Sequence, residues 1–547
     1  MSLPKTQRAV QLVGPDELKL NNEKAMHNCG PEQVLCKIEA VGLCFSDLKL
    51  LKQFTQHGRK SSVIKGMEKS VLDQIPSYVP NEIPTVPGHE AVVRVVEVGS
   101  NVKGIKAGAR FLVQTDYRWL PTENSNAAFG YNFEGALQEY VVMDQRVITS
   151  PTGQSMLIPA SEKLSASAIA LIEPWACVED AYAAVNRTTI KANGKMLIAA
   201  DKAVGQEAIA NLFAKFGRPG HITSIGVVID GAKTAADIDA VNETYDDILY
   251  FGSSAQTAEK LFAKLAPGGL INIVLCDGQF EHELTTPVGK VHYGGIRIIG
   301  TAGNNPCESM LAIPKSGEIR KGDKINVVGA GGPMGVMHVI RNLCSGVQGI
   351  TVYAGDLDDN RLAALTTAAG PIAKQNAANY VPYNPKTTKL EEKFDYISIM
   401  APVPALVAGA VKTAARNGII NIFAGIPATV SGQIDMNAYI NNQLFFIGTS
   451  GSVIDDMICV LGKVESGRLD TNLSVAAISG LEGAVQGIRA VEKALIPGKI
   501  IVYPQCKGLG LVELGKLSEK LPQVAAKLKN GMWTTDAETA LLESFAK

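Results

Sequence analysis

The stretch KINVVGAGGPMG, residues 324–335, decides how this chain is read. A short apolar strand pattern (Ile325, Val327, Val328) runs straight into Gly329, Gly331, Gly332 and Gly335, and a helix-like segment follows. Glycine lets the backbone turn tightly and come close to an anion, while the next helix's N-terminus offers unpaired N–H groups and the positive end of its dipole. A second apolar strand, Ile350 to Tyr353, leads to Asp356, where an acid could accept ribose hydroxyls. Strand, glycines, helix, strand and acid in this order predict a dinucleotide seat. Its expected contacts are Gly329, Gly331, Gly332, Pro333, Met334, Gly335, Asp356 and Arg361. The spacing carries one residue more before the last glycine than GxGxxG, and the glycines alone would fit an ordinary tight turn. Leu357, Asp358 and Asp359 follow Asp356 with no immediate base, so a 2′-phosphate would be repelled and NAD is expected rather than NADP.

With 547 residues the chain has room for about two to four domains. Its 52 basic and 53 acidic residues nearly cancel, which gives no reason to expect nucleic acid or an anionic membrane as partner. Hydrophobic residues make up 46% but lie in short segments broken by Gly and Pro, none long enough to span a bilayer. The start, MSLPKTQRAV, is too polar for a signal peptide. Nine cysteines without CxxC clustering suggest reduced thiols and a cytoplasmic protein.

Toward the N-terminus, an alternating strand from Val34 to Val41 enters Gly42-Leu43-Cys44-Phe45-Ser46-Asp47 and then an expected helix, placing Cys44 at a strand-to-helix corner. A second group, Pro87-Gly88-His89-Glu90, leads into the apolar strand Ala91 to Val98. Taken singly, these would be a buried thiol and a surface histidine. Together they resemble the zinc-dependent medium-chain dehydrogenase/reductase family of alcohol and polyol dehydrogenases, in which Cys-x-Ser/Thr-Asp and Gly-His-Glu carry the catalytic metal. Ile172-Glu173-Pro174 continues the likeness to the polyol branch. The resemblance implies one catalytic Zn²⁺ on Cys44 and His89, with Glu90 and Glu173 competing for a further position. No structural zinc is expected, because Phe111 to Tyr140 holds no cysteine. Lys49 stands where many relatives place a proton-relay histidine, which leaves that relay in doubt. The segment between the two motifs is basic (Lys49, Lys52, His57, Arg59, Lys60, Lys65); it is expected to be a solvated loop, with contact to a phosphorylated or acidic substrate as the alternative. Cys44-Phe45-Ser46, the glycine loop and Tyr131-Asn132-Phe133-Glu134-Gly135-Ala136 are similar to the sugar-phosphate branch typified by L-sorbose-1-phosphate reductase.

The middle of the chain repeats itself. Ala266-Pro267-Gly268-Gly269-Leu270-Ile271-Asn272-Ile273 matches Ala415-Arg416-Asn417-Gly418-Ile419-Ile420-Asn421-Ile422, and Ile298-Ile299-Gly300-Thr301-Ala302-Gly303 matches Phe446-Ile447-Gly448-Thr449-Ser450-Gly451. Both matches lie about 150 positions apart, which indicates duplication of one βαβ domain. The first copy has Asp201-Lys202-Ala203-Val204-Gly205 where the second has its glycine cluster. We therefore expect an α/β protein: a GroES-like β-rich catalytic domain at 1–190, completed by 504–547, a degenerate Rossmann-like repeat at 191–321, and an NAD-binding Rossmann domain at 322–503. An edge strand must be paired or protected, so the first repeat is expected to serve as a built-in dimer partner for the second, giving a monomeric pseudo-dimer or a homo-oligomer.

The implied chemistry is hydride transfer between NAD(H) and the secondary alcohol or ketone of a polyol or sugar, phosphorylated or not. Cys44, Ser46, His89, Glu90 and Glu173 would act on the substrate side, with Ser46 passing the proton outward and Asp47 orienting the corner, and Lys499 would approach the cofactor phosphates. The alternatives are a zinc-independent reductase of the same fold and a cofactor-binding protein that has lost catalysis.

Overall fold

Two six-stranded parallel sheets carry the duplicated region. This computed structural model describes residues 3–449 and 451–546, so Ser450 of the second matched string and Lys547 of the expected C-terminal segment lie outside it. The first sheet runs Lys233–Thr234, His221–Ile225, Lys195–Ala200, Tyr245–Phe251, Leu265–Val274, Arg297–Thr301. The second runs Asn379–Tyr383, Thr351–Gly355, Lys324–Val328, Phe394–Ile399, Ala414–Ile422, Phe445–Ile447, in the same order counted along the chain. That is the doubly wound order in which ligands meet the carboxyl ends of the central strands. Leu197, Ile198, Ile325 and Val327 are fully buried, as expected for central parallel strands covered on both faces.

The repeats meet through their edges. Leu284–Thr286 pairs antiparallel with Gly432–Ile434, and the fully buried Tyr439 ties the outermost strands, its hydroxyl donating to the Ile298 carbonyl at 2.8 Å and accepting from Phe446 N–H at 2.9 Å. One apolar core takes residues from both repeats, among them Ile273, Ile298, Ile422 and Phe446. Each edge is thereby shielded by the other copy.

The chain separates into two compact units, 1–176 with 452–547, and 177–451. The expected limits at 190 and 503 differ from this division. The first crossing falls inside the helix Ile172–Ala183. After the second, Val475–Ser479 and Lys499–Val502 join the first unit's sheet, because Ile501 and Val502 pair antiparallel with Gly42 and Val41. That sheet continues through Gln33–Gly42, Glu90–Val98, Arg110–Val113 and Leu157–Pro159, with Tyr140–Asp144 alongside. The final helix, Thr535–Ser544, is capped by Thr534 and packs back on the same unit. Its buried Glu538 accepts from Ala166 N–H, Ser167 N–H and the Tyr503 hydroxyl, so this segment anchors the unit.

Candidate active site

Cys44 ends the strand Gln33–Gly42 and caps the helix Phe45–Gln53; its Sγ accepts from Ser46 N–H at 3.5 Å, and Asp47 Oδ2 accepts from Cys44 N–H at 3.0 Å. His89 and Glu90 enter from the start of the neighbouring strand, where Glu90 pairs with Gly42. Gly42 is needed at this crossing, since a Cβ there would stand 2.1 Å from Glu90 Oε2. Ligand atoms of Cys44, His89 and Glu90 lie within 4.8 Å of one another.

Asp47 Oδ1 lies 3.1 Å from His89 Nδ1, which orients the ring and leaves Nε2 for another partner. Burial opposes charge on His89, yet Tyr131, Asp47 and Cys44 favour it, and the balance raises its pKa well above the ordinary imidazole value. Glu90 is fully buried; Oε1 meets the Lys499 ammonium at 2.5 Å while Oε2 has no hydrogen-bond partner. Sulfur, imidazole nitrogen and an unpartnered carboxylate oxygen form a donor set suited to catalytic zinc with an open position. Glu173 falls outside the three-residue cluster but near enough to feel it: burial above all, with Glu90 and Asp116, pushes its carboxyl up to about 7 against the pull of His89 and Lys499.

Lys499, expected at the cofactor phosphates, is buried in the first unit, donating to Glu90 and, at 2.8 Å, to the Leu43 carbonyl. Burial disfavours its charge, but Glu90, Cys44 and Glu173 outweigh that and hold its pKa above the lysine norm. The strand pairing that carries Lys499 there joins residues more than four hundred positions apart, a contact no local pattern announces.

Half of the basic segment differs from its expectation: Lys49, Lys52 and Lys65 are exposed, while His57, Arg59 and Lys60 are not. Lys60 is fully buried, with its ammonium on the Val79 and Ile83 carbonyls, and burial pushes its pKa down to about 7. Arg59 pairs with Asp116 and stands 5.3 Å from the centre of the Tyr131 ring, which itself lies 5.1 Å from the His57 ring and 5.7 Å from that of His89. Composition marked these residues as charged, and only the fold turns them inward. Tyr131 and Asp116 carried no sequence signal beyond the resemblance that included Tyr131.

In the second unit the glycine loop lies as expected. Gly329 has φ +86°, and a Cβ on Gly335 would stand 2.3 Å from the Gly329 carbonyl oxygen, so both positions demand glycine. Gly332 caps the helix Pro333–Leu343, with Pro333 in its first turn and Met334 next to it. Asp356 Oδ2 accepts from Gly331 N–H at 2.8 Å. Gly329, Gly332, Asp356, Arg361 and Tyr383 line a cavity of about 750 Å³, large enough for the adenosine half of a dinucleotide. Arg361, expected among the cofactor contacts, is part of that lining.

Residues 30–152 match the alcohol dehydrogenase GroES-like domain. The chain is 36% identical to a sorbitol dehydrogenase of Sus scrofa over 18% of this chain and 78% of that one, and 31% identical to an L-sorbose 1-phosphate reductase of Klebsiella pneumoniae over 27% and 36%. The alignment with an uncharacterized Escherichia coli protein, YggP, is 27% identical over 42% of this chain and spans 58% of that protein's length. The crystal structure of 2R,3R-butanediol dehydrogenase from Bacillus subtilis shares the fold at a TM-score of 0.53 and 15% identity, over 91% of this chain and all 100% of that one. The chain belongs to the zinc-type medium-chain dehydrogenase/reductase family. Among the described residues no helix is long and apolar enough to cross a membrane.

Proposed function

We propose that this protein is a zinc-dependent oxidoreductase transferring a hydride between NAD(H) and a secondary alcohol or ketone of a polyol, sugar or sugar phosphate. The observation that carries the reading is the convergence of Cys44, His89 and Glu90 with ligand atoms within 4.8 Å and with Glu90 Oε2 unpartnered. When bound, zinc on these residues would polarise the substrate oxygen, and the nicotinamide would give or take the hydride. Asp47 keeps His89 in the ring orientation that frees Nε2. Lys499 holds one oxygen of Glu90 and so turns the other toward Cys44 and His89. Ser46, in the first turn after Cys44, would take the alcohol proton and pass it outward. Glu173, buried beside His89 and Glu90 with its carboxyl pushed up to about 7, would add negative charge when ionised and so favour a cation at the cluster. In the second unit, Gly329 to Gly335 would seat the pyrophosphate and Asp356 with Arg361 the adenosine ribose. The names of the sorbitol and sorbose-phosphate relatives support the polyol class.

The test pairs metal analysis with NAD⁺ reduction over a panel of polyols, sugars and their phosphates. Cys44→Ala should lose both metal and turnover while NAD stays bound. Turnover that survives metal removal would sink the reading and favour the zinc-independent alternative, in which the buried Lys499 beside Glu90 is the available cation.

A further inference from the structure

We infer that Arg59, with His57 beside it, forms the subsite for a phosphate ester on the substrate. This rests on the hydride-transfer reading above and names its substrate class. The Arg59 guanidinium is fixed by Asp116, whose oxygens lie 2.8 Å from Nη1 and 3.1 Å from Nη2. A guanidinium carries five N–H donors, so the pair fixes the fork without exhausting it, and the side chain stays 27% exposed. Such a fork matches two oxygens of a phosphate at once.

His57 supplies the second donor. Its Nδ1 accepts from Arg59 N–H at 3.2 Å, which places the proton of the neutral ring on Nε2. Burial, reinforced by Arg59 and Lys49, pushes its pKa down to about 4, so at neutral pH it remains a neutral N–H donor. Both groups stand against Tyr131, which stands against His89. An anion there would be one aromatic ring from the metal cluster, the separation expected between a reacting carbon and a phosphate a few carbons along a polyol. Arg59 and Lys49 set two cations beside the Asp116 carboxylate, with Glu173 also acting on Arg59, while Lys60 is spent on main-chain carbonyls and anchors the turn.

The experiment compares kcat/KM for D-mannitol 1-phosphate and for D-mannitol in the wild type, Arg59→Gln and Arg59→Lys. The phosphorylated-to-unphosphorylated ratio should fall about 10- to 100-fold in Arg59→Gln, the loss of hydrogen bonds to a charged group, and should appear in KM. Arg59→Lys keeps the charge without the fork and should fall between. An unchanged ratio, or an equal fall for both substrates, overturns the proposal. Calorimetric titration of inorganic phosphate at saturating NAD⁺ reads the subsite apart from turnover: wild-type binding that Arg59→Gln loses supports it, and equal binding, or none in the wild type, overturns it. If no polyol or sugar is turned over while Arg59-dependent phosphate binding persists, the hydride-transfer reading fails and the subsite stands.

Discussion

The two sheets of the second unit have the same strand order and different loops, and the contrast separates what a fold needs from what a site needs. Where the second sheet runs Val328-Gly329 into its glycine cluster, the first runs Ala199-Ala200 into Asp201, Lys202 and Ala203. Where Gly355 is followed by Asp356, the strand in the same register ends at Ile225 and Gly226. In the first copy Asp201 accepts the Tyr250 hydroxyl, so the acid at its loop is tied to the protein. The apolar strands survive in both because each copy covers the other's edge. The glycine cluster is present in the second copy alone.

The buried asparagines sharpen the contrast. Asn272 in the first copy is paired at both ends, accepting from Ser309 Oγ at 2.7 Å and donating to the Pro306 carbonyl at 2.9 Å. Its counterpart Asn421 donates to the Tyr396 hydroxyl at 3.0 Å but leaves Oδ1 without a partner. His338 Nε2 and Asn342 Oδ1 are likewise unpartnered in the second copy, against Ser224 Oγ alone among the described residues of the first. Buried polar groups without partners are costly, and such costs tend to persist at functional sites. The copy lacking the phosphate loop is the better satisfied one.

The strongest way to break this comparison is to put one methyl group in each loop. Gly335→Ala forces a Cβ to within 2.3 Å of a carbonyl oxygen, and the resulting overpacking should weaken NAD binding about 10- to 100-fold. Gly205→Ala in the first copy meets nothing within 4 Å at a φ of −71° and should leave NAD affinity as it is. Equal effects, measured by fluorescence titration, would mean that both copies or neither hold the cofactor.

A somewhat smaller effect tests whether the copies stabilise one another. Tyr439→Phe removes the hydroxyl shared by Ile298 and Phe446, leaving a buried N–H and carbonyl unpaired. It should lower stability by about 1–3 kcal/mol in urea unfolding. We propose that the chain is a monomeric pseudo-dimer, so its mass in solution should be that of one chain. A dimer built through Phe445–Ile447 would show that the first copy does not replace a partner.

Smaller again is the acid. Asp356→Ala makes the second copy resemble the first at that point and removes the acceptor of Gly331 N–H. NAD affinity should drop about tenfold. No change in the titration would assign the ribose to Arg361 alone.

The sequence made legible whatever is local. Glycines after a strand, an acid after the next strand and two matched strings require only a short window, and Cys44 and His89 stood out through their corner motifs. Lys499 did not, because its place depends on Ile501 and Val502 pairing with Val41 and Gly42. His57 to Lys60 did not, because a run of charge has the same composition whether it faces water or Tyr131. Glu90 and Glu173 were equal candidates until the fold grouped Glu90 with Cys44 and His89.

The smallest effect concerns pH and again belongs to the second copy only. The buried His338 ring, bonded through Nδ1 to the Tyr182 hydroxyl at 2.8 Å, has its pKa pushed down to about 3 by burial, with Arg341 adding to the effect. An exposed histidine in the unfolded chain titrates near 6.5. Between those values the unfolded chain binds a proton that the folded chain refuses, so stability falls as pH falls and is fully present only above about 6.5. From pH 7 to pH 6 this costs under about 1 kcal/mol. His338→Gln, which keeps a polar side chain but does not titrate, should flatten that part of the wild-type stability curve. A slope identical in the two proteins would show that His338 titrates alike in the folded and unfolded chain and that its burial does not set this part of the curve.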